Sequence, residues 1–319
     1  GQISPGNRTN STEEYNGSAW TVTGNLGSSR YTMGTAGTQT SGLISMGYVG
    51  SNTTATELYN GSSWTGGTSS NTSRTNLGSG GTQTSALMFG GSPPGGGGTG
   101  ATEEWNGSSW TNVPSLGTGR YQLSGNNVGT QTAGLCVGGN PAAARALSEE
   151  WNGSAWAEGD NLQTARSSFR GTGTQTAGLA VGGWLTPGYS GATEEYDGTT
   201  WSEQADRNAG YNLGLAGTQT AGLAMGGYDG GGMNEVDEYD GSSWTAGGNY
   251  PASVYNITGI GTQTAALGLG GTPGLGAKAK EYDGSSWSEG GDLPGDWAWT
   301  QGAGTQTAAI SAFDGLCAT

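Results

Sequence analysis

Pairs of adjacent carboxylates recur along the sequence, and they are the side chains most suited to chemistry. Ca²⁺ takes six to eight oxygen ligands, and two carboxylates also serve as the acid and the base of glycoside hydrolysis. The pairs are Glu13-Glu14, Glu103-Glu104, Glu149-Glu150, Glu194-Glu195 and Asp237-Glu238. A single active site would break this symmetry, so the recurrence argues against catalysis. We expect one carboxylate of each pair to be solvated and the other to pair with an arginine or a backbone N–H. Ca²⁺ binding is the alternative.

Residues for other catalytic chemistry are sparse. The sequence has no histidine, the commonest general base and a frequent metal ligand. No serine or cysteine has a base partner that the sequence identifies. We therefore predict a protein that is not an enzyme, with no catalytic residue, no metal ligand and no cofactor. Cys136 and Cys317 provide no disulfide framework, and we expect both to be small buried or terminal residues.

Charge and hydropathy exclude two classes of partner. The net charge is −15, and ten Lys and Arg residues spread over the chain cannot form the basic patch that nucleic acid requires. No apolar run approaches the ~20 residues of a membrane span, and no signal-peptide pattern opens the chain. Residue 1 is glycine, so we expect a processed form or a piece of a longer protein.

Two motifs recur seven times, 43–48 residues apart, and they determine the elements that carry these side chains. The first is Gly-Thr-Gln-Thr, which starts at Gly37, Gly81, Gly129, Gly173, Gly217, Gly261 and Gly304. The second, Tyr/Trp-Asn/Asp-Gly-x-x-Trp, ends at Trp20, Trp64, Trp110, Trp156, Trp201, Trp244 and Trp287. A period of this length is typical of propellers and solenoids. Because it runs from end to end, we predict one domain over residues 1–319.

One repeat predicts four antiparallel strands and no helix. Residues 211–216 alternate large and small side chains, as a half-buried strand does, and Gly217 opens the turn that follows. Residues 221–225 are nearly all apolar, which suits a strand covered on both faces. Asp240-Gly241 predicts a two-residue type I′ turn between a third strand and a fourth that carries Trp244. Such a meander is one propeller blade.

The ends of the chain predict how the ring closes. The sequence opens with strands three and four, up to Trp20, and ends with strands one and two, over residues 297–313. Joining them gives a seventh blade, two strands from each end, and leaves no unpaired edge. A six-bladed ring with spare ends would leave two exposed edges, so we predict an all-β, seven-bladed propeller.

The blade pattern resembles the kelch repeat. The resemblance rests on an apolar second strand ending in Gly-Gly, an aromatic residue in strand three and Trp in strand four, and it covers essentially the whole chain. Four repeats also have an arginine seven to nine residues before Gly-Thr-Gln-Thr: Arg30, Arg74, Arg120 and Arg166. WD40 repeats would need Gly-His and Trp-Asp dipeptides. The Asp-box of sialidases places one residue between Asp and Gly, which this turn lacks.

Alternating strand direction sorts the turns onto two faces. The turns after strands one and three form an invariant face of Gly-Thr-Gln-Thr and Asn/Asp-Gly sequences. The connections after strands two and four form a variable face, and variable loops on a rigid scaffold commonly serve recognition. Exposed aromatics beside amides and charges suit sugar rings. The predicted ligand-binding residues are Tyr48, Asn52, Arg145, Trp184, Tyr189, Tyr228, Asp229 and Lys278. Trp297 and Trp299 would lie near the channel mouth or close the last blade.

The repeat style also resembles kelch-type propellers of bacteriophage virion proteins, especially those of marine phages. This resemblance implies a virion-surface, extracellular domain such as a tail fibre. Its expected partners are a host-surface glycan or receptor and other virion subunits. Two alternatives follow: a purely structural decoration protein that docks other subunits by its invariant face, and a generic kelch protein-interaction scaffold.

Overall fold

Each sequence repeat forms one four-stranded antiparallel sheet. The computed structural model describes residues 10–123, 129–142, 145–274, 278–293 and 299–314. Across these ranges the structure contains β-strands and turns but no α-helix, and none of it is a helix long and apolar enough to cross a membrane. Seven four-stranded sheets are arranged as the blades of a ring. The predicted all-β, seven-bladed propeller is confirmed.

The strands follow one another with nearly constant spacing. The first ten are β1 (Thr12–Tyr15), β2 (Trp20–Val22), β3 (Gly34–Thr38), β4 (Ser41–Ser45), β5 (Thr56–Tyr59), β6 (Trp64–Gly67), β7 (Gly78–Thr82), β8 (Ser85–Phe89), β9 (Thr102–Trp105) and β10 (Trp110–Val113). The next ten are β11 (Gly129–Thr130), β12 (Ala133–Val137), β13 (Ser148–Trp151), β14 (Trp156–Glu158), β15 (Arg170–Thr174), β16 (Ala177–Val181), β17 (Trp184–Leu185), β18 (Gly188–Tyr189), β19 (Thr193–Tyr196) and β20 (Trp201–Glu203). The last ten are β21 (Gly214–Thr218), β22 (Ala221–Met225), β23 (Val236–Tyr239), β24 (Trp244–Ala246), β25 (Thr258–Thr262), β26 (Ala265–Leu269), β27 (Lys278–Tyr282), β28 (Trp287–Asp292), β29 (Trp299–Thr305) and β30 (Ala308–Asp314).

Blades are numbered here from the one that joins the two ends of the chain. Blade 1 contains β29, β30, β1 and β2 from the channel outward, with β1 and β30 paired antiparallel. Blades 2, 3 and 4 contain β3–β6, β7–β10 and β11–β14. Blade 5 contains β15, β16, β19 and β20, and blades 6 and 7 contain β21–β24 and β25–β28. The small hairpin β17–β18 lies in the loop between the second and third strands of blade 5. The predicted closure by two strands from each end is confirmed, so the six-bladed alternative is wrong.

The hydrophobic core lies between neighbouring blades. The second strands are almost fully buried, as in β26, where four of the five residues are inaccessible to solvent. Trp105 and Trp110 of blade 3 pack with Leu43 and Met46 of blade 2. Burying such aromatic and aliphatic surface is the main source of stability in an all-β domain rich in glycine. Each blade therefore covers the apolar face of its neighbour.

The Gly-Gly doublets mark a close approach between neighbouring blades. A Cβ added at Gly90 would lie 2.6 Å from Leu123 Cδ1 and 2.8 Å from the Arg120 carbonyl oxygen, both in the next blade. The N–H of Gly91 donates to that Arg120 carbonyl at 2.8 Å. Only glycine fits this contact without displacing the neighbouring backbone.

The turn between strands three and four differs from its predicted type. In blade 6, Tyr239 pairs with Trp244, so the loop has four residues rather than two. The carboxylate of Asp240 accepts hydrogen bonds from the backbone N–H groups of Ser242 and Ser243, at 2.9 and 2.8 Å. Of these four residues only Gly241 has a positive φ, at 93°. The type I′ prediction is therefore wrong. Hydrogen bonds to the Asp240 carboxylate stabilise this four-residue loop, so it needs no second residue with a positive φ.

Candidate functional site

The contacts between loops confirm that the connections sort onto two faces. On the invariant face, Gly61 in the turn after strand three lies against Thr40 in the turn after strand one. On the variable face, the N–H of Gly47, after strand two, donates to the carbonyl of Arg74, which precedes the next inner strand. The segments that vary in sequence therefore share one side of the ring.

The glutamine of each Gly-Thr-Gln-Thr motif joins two blades. Gln219 is typical: its side-chain amide donates to the carbonyls of Gly178 and Tyr196 in the preceding blade, at 3.1 and 2.8 Å. The same pair of contacts to strands two and three of the preceding blade is made by Gln39, Gln83, Gln131, Gln175, Gln263 and Gln306. The repeated glutamine on this face is thus explained by contacts inside the protein.

The first carboxylate of the acidic pairs is bound within its own blade. Arg74 donates to Glu103 at 2.9 Å, and both side chains are fully buried. Glu103 also accepts the backbone N–H of Asn71 at 2.7 Å. Equivalent ion pairs are Arg30–Glu57, Arg120–Glu149, Arg166–Glu194 and Arg207–Asp237. The expected pairing with an arginine or a backbone N–H is confirmed, and Arg207 is a fifth arginine that the sequence spacing missed.

The second carboxylate is not simply solvated. The hydroxyl of Tyr239 donates to Glu195 of the preceding blade at 3.0 Å, and desolvation, followed by this contact, raises the pKa of the tyrosine. Other tyrosine–carboxylate contacts between blades are Tyr59–Glu14, Tyr196–Glu150, Tyr282–Glu238 and Tyr15–Glu281. The expectation of a solvated carboxylate therefore holds only in part for Glu14, Glu150, Glu195 and Glu238, because each is half-exposed and also accepts a hydrogen bond from the next blade.

Glu13 in blade 1 departs from this pattern. Its side chain is buried, and its Oε2 has no hydrogen-bond partner among the residues that the structure describes. Desolvation raises the pKa of Glu13 to about 8. Over the described ranges, Cys, Asp and Glu side chains form no group of three or more that could hold a metal ion. The Ca²⁺ alternative thus has no described cluster to support it.

Five aromatic side chains meet on the variable face, and they are called the aromatic cluster here. Its members are Trp184, Tyr189, Tyr211, Tyr228 and Tyr255, and each is partly exposed. The rings of Tyr189 and Tyr211 are stacked, with centroids 5.7 Å apart and planes at 5°. Trp184 and Tyr228 contact both of these rings, and Tyr255 contacts Tyr228 at 5.0 Å. The cluster is an amphipathic surface that spans blades 5 to 7.

Backbone pairing holds the cluster in place. Beyond each Gly-Gly doublet, the first two strands of the blade are joined again by two reciprocal hydrogen bonds. Tyr211 and Tyr228 form one such pair, at 3.2 and 2.9 Å, and Ser167 and Trp184 form another, at 3.1 and 2.7 Å. Tyr189 reaches the cluster because the β17–β18 hairpin pairs it with Trp184. The rings therefore extend from paired backbone.

Five of the eight predicted site residues lie in the aromatic cluster, next to it in sequence, or in contact with the β17–β18 hairpin. Trp184, Tyr189 and Tyr228 belong to the aromatic cluster, and Asp229 is the exposed residue next to Tyr228. The side chain of Arg145 donates to Thr186, at the tip of the β17–β18 hairpin.

The other three predicted residues have partners elsewhere. Tyr48 packs on Tyr31 in blade 2, and Asn52 donates to the carbonyl of Ser92 in blade 3. Lys278 pairs with Asp292 across strands three and four of blade 7. These contacts are all made with residues outside the aromatic cluster.

Sequence reasoning missed Tyr211 and Tyr255. Both lie six residues before a Gly-Thr-Gln-Thr motif, as Tyr31 does, and that shared offset is the signal that could have identified them. Trp297 and Cys317 lie outside the described residues. Trp299 begins β29, the inner strand of the closing blade.

Comparison with known proteins supports the fold. No family model matches the sequence, and no curated protein matches it. A solved structure titled "Structure of YjhT" is similar, with a TM-score of 0.58 and 12% identity over 80% of this chain and 93% of that chain. YjhT is a β-propeller. At this identity the similarity concerns the fold, which enzymes and binding proteins share.

Proposed function

We propose that this propeller is a non-enzymatic recognition domain that binds glycan on a host surface through its variable face. The observation that carries the proposal is the aromatic cluster, in which five partly exposed rings lie together on one side of the ring of blades. Aromatic faces provide an apolar platform for the C–H groups of a sugar, while tyrosine hydroxyls offer hydrogen bonds at the edge.

The distribution of the polar contacts favours this face over the opposite one. On the invariant face, the seven motif glutamines bind carbonyls of the preceding blade. On the variable face, Asp229 is exposed beside the aromatic cluster and Arg145 is half-buried. A binding site needs a few polar groups placed around an apolar surface, and the variable face provides them.

We further propose that the domain is displayed on a virion, as a tail-fibre or other surface protein of a bacteriophage. This placement rests on the kelch-like repeat and on the style of the Gly-Thr-Gln-Thr arrays, which resemble those of phage propellers. Other virion subunits are then the expected neighbours. A purely structural virion protein and an intracellular kelch scaffold remain the alternatives that the following experiment separates.

The test is binding of the purified domain to a broad glycan array and to intact bacterial cells. We expect saturable binding that Tyr189→Ala and Tyr211→Ala each weaken about tenfold, since loss of one ring contact corresponds to ~1.4 kcal/mol. Tyr121→Ala is the matched control. Tyr121 occupies the paired position at the inner strand of blade 4, where it pairs with Asn140, but it lies outside the aromatic cluster.

Three results would contradict the proposal. Absence of binding to every glycan and every cell would favour a structural virion protein. Binding that Tyr121→Ala weakens as much as Tyr189→Ala would place the site away from the aromatic cluster. Binding to a protein partner with no glycan requirement would favour the scaffold alternative. Unchanged melting temperatures of the three variants would show that the fold is retained in each.

A further inference from the structure

We infer that the saccharide bound at the variable face is acidic, and that its carboxylate or sulfate group binds Arg145. This inference rests on the proposed function and adds the chemical class of the ligand. It comes from an account of the positive charges in a chain that has very few of them, and from the position of Arg145 next to the aromatic cluster.

Most of the ten basic side chains are already neutralised by carboxylates. Five arginines form the buried ion pairs inside blades 2 to 6, and Lys278 and Lys280 pair with Asp292 and Glu289. Arg8 lies outside the described residues. Arg170 donates to the carbonyl of Leu213, and desolvation lowers its pKa. In the described part of the chain, Arg145 is thus the half-exposed cation on the variable face without a carboxylate partner.

Arg145 is held in place by neutral oxygen atoms. Its Nε and Nη2 both lie 3.4 Å from Oδ1 of Asn140, and its Nη1 donates to the hydroxyl of Thr186. Asn140 is itself fixed by a hydrogen bond from its amide to Gln122 at 2.6 Å. These contacts orient the guanidinium group without compensating its charge. A guanidinium has five N–H donors, so donors remain for a planar anion.

The position of Arg145 relates the charge to the rings. Thr186 lies in the turn of the β17–β18 hairpin, two residues after Trp184, and two residues span at most ~7 Å of chain. A sugar that stacks on Trp184 or Tyr189 can therefore direct an acidic substituent toward Arg145. Asp229 lies on blade 6, on the other side of blade 5, and would accept hydrogen bonds from neutral hydroxyls. The site is thus polarised, with the anion expected at the blade 4 side.

The experiment uses an array of matched pairs at 0.15 M salt, tested with the whole 319-residue chain. Each uronic-acid oligosaccharide is printed beside its methyl ester, and each sulfated oligosaccharide beside its desulfated form. The variants are Arg145→Gln, which removes the charge, and Arg145→Lys, which keeps the charge but loses the planar fork. Lys278→Gln is the matched control, because it removes an exposed cation whose partner is Asp292.

We expect the wild type to bind the acidic member of a pair at least tenfold more tightly than the neutral member. Arg145→Gln should abolish that preference by lowering the affinity for the acidic member at least tenfold, and Lys278→Gln should change neither affinity. A preference for carboxylates should also fall in Arg145→Lys, since bidentate binding is lost, whereas a preference for sulfates should fall less. This difference distinguishes the two kinds of anion.

Equal affinity for both members of every pair would overturn the inference and leave glycan binding intact. A preference for acidic sugars that survives Arg145→Gln would also overturn it, because the anion would then bind elsewhere. Absence of binding to every acidic and neutral sugar would overturn both the inference and the proposed function. Melting curves of the variants would confirm that each is folded.

Discussion

The two faces of the ring differ in where their polar groups are used. On the invariant face and in the strands below it, the repeated Gln and Tyr side chains bind the preceding blade, and the repeated Arg binds a carboxylate within its own blade. On the variable face, aromatic rings contact one another at the surface and Arg145 is held by neutral oxygens. Residues that repeat thus hold the ring together, whereas the aromatic residues of the variable face are partly exposed.

The comparison teaches that repetition within a chain need not indicate a repeated binding site. Seven copies of a polar motif on one face suggest a docking surface for other subunits. The contacts show that the glutamine of each copy is bonded to two carbonyls of the adjacent blade. Every blade must satisfy the same carbonyls of its neighbour, and this requirement accounts for the glutamine of the motif without an external partner.

The largest expected effect is the loss of a buried ion pair. Arg74→Ala leaves the carboxylate of Glu103 uncompensated in an interior position, so the free energy of unfolding should fall by about 3–5 kcal/mol. Urea denaturation measures this change. Lys278→Ala is the control, since its pair with Asp292 is exposed, and it should leave the unfolding midpoint unchanged. Equal effects of the two substitutions would show that the buried ion pair contributes no more to stability than the exposed one.

A smaller loss is expected for the contacts of the motif glutamine. Gln219→Ala removes the donor for the carbonyls of Gly178 and Tyr196, which should lower the free energy of unfolding by about 1–3 kcal/mol. Thr220→Ala changes the exposed neighbour in the same turn and should stay within about 0.5 kcal/mol of the wild type. If both variants were equally stable, the motif would have to be explained by an external partner.

The pH dependence of stability should report on Glu13. Because burial raises its pKa from an ordinary 4.5 to about 8, the folded protein keeps a proton that the unfolded chain releases as pH rises. Stability is therefore unaffected by this group below pH 4.5, falls between pH 4.5 and 8, and stays reduced above pH 8. Glu13→Gln should remove this decline, so its melting temperature should match the wild type at pH 4.5 and exceed it at pH 8. Parallel pH curves for the two proteins would show that Glu13 is not a buried acid.

The smallest effect on stability is expected on the variable face. Tyr189→Ala removes a partly exposed ring, so the free energy of unfolding should change by about 1 kcal/mol or less. The same variant is expected to lose about tenfold in glycan affinity. A loss of stability as large as that of Arg74→Ala would mean that the aromatic cluster stabilises the fold. The proposed difference between the two faces would then be wrong.

The number of blades and the ring closure could be predicted because they depend on periodicity and pairing alone. The fate of the carboxylates was harder to predict. Glu195 and Tyr239 are 44 residues apart, and no local pattern shows that they meet across a blade boundary. Arg207 was missed because it lies ten residues before its Gly-Thr-Gln-Thr motif, outside the spacing of the other four. Predicting contacts between repeats requires the rotation that relates neighbouring blades, and the spacing of motifs in the sequence does not give that rotation.

The candidate site was predicted in part for a related reason. Trp184, Tyr189 and Tyr228 lie in variable loops, which sequence comparison within the chain identifies directly. Tyr211 and Tyr255 lie in the segment leading into an inner strand, so the alternating pattern assigned Tyr211 to a half-buried strand. In the structure these residues precede β21 and β25, and their rings contact Tyr228 in a variable loop. The inner strand of blade 6 begins at Gly214 rather than at residue 211 as predicted, and this shift is why Tyr211 was not predicted as a site residue.

The closure of blade 1 has a mechanical consequence. Thr12 pairs with Ala312 and Tyr15 with Ala309, so the chain enters and leaves this blade at the same end of the β1–β30 ladder. A pulling force applied to the chain at Thr12 and Ala312 would separate β1 from β30 one residue pair at a time. Tension would therefore open the ring at this seam before it disturbed the six blades formed by continuous chain.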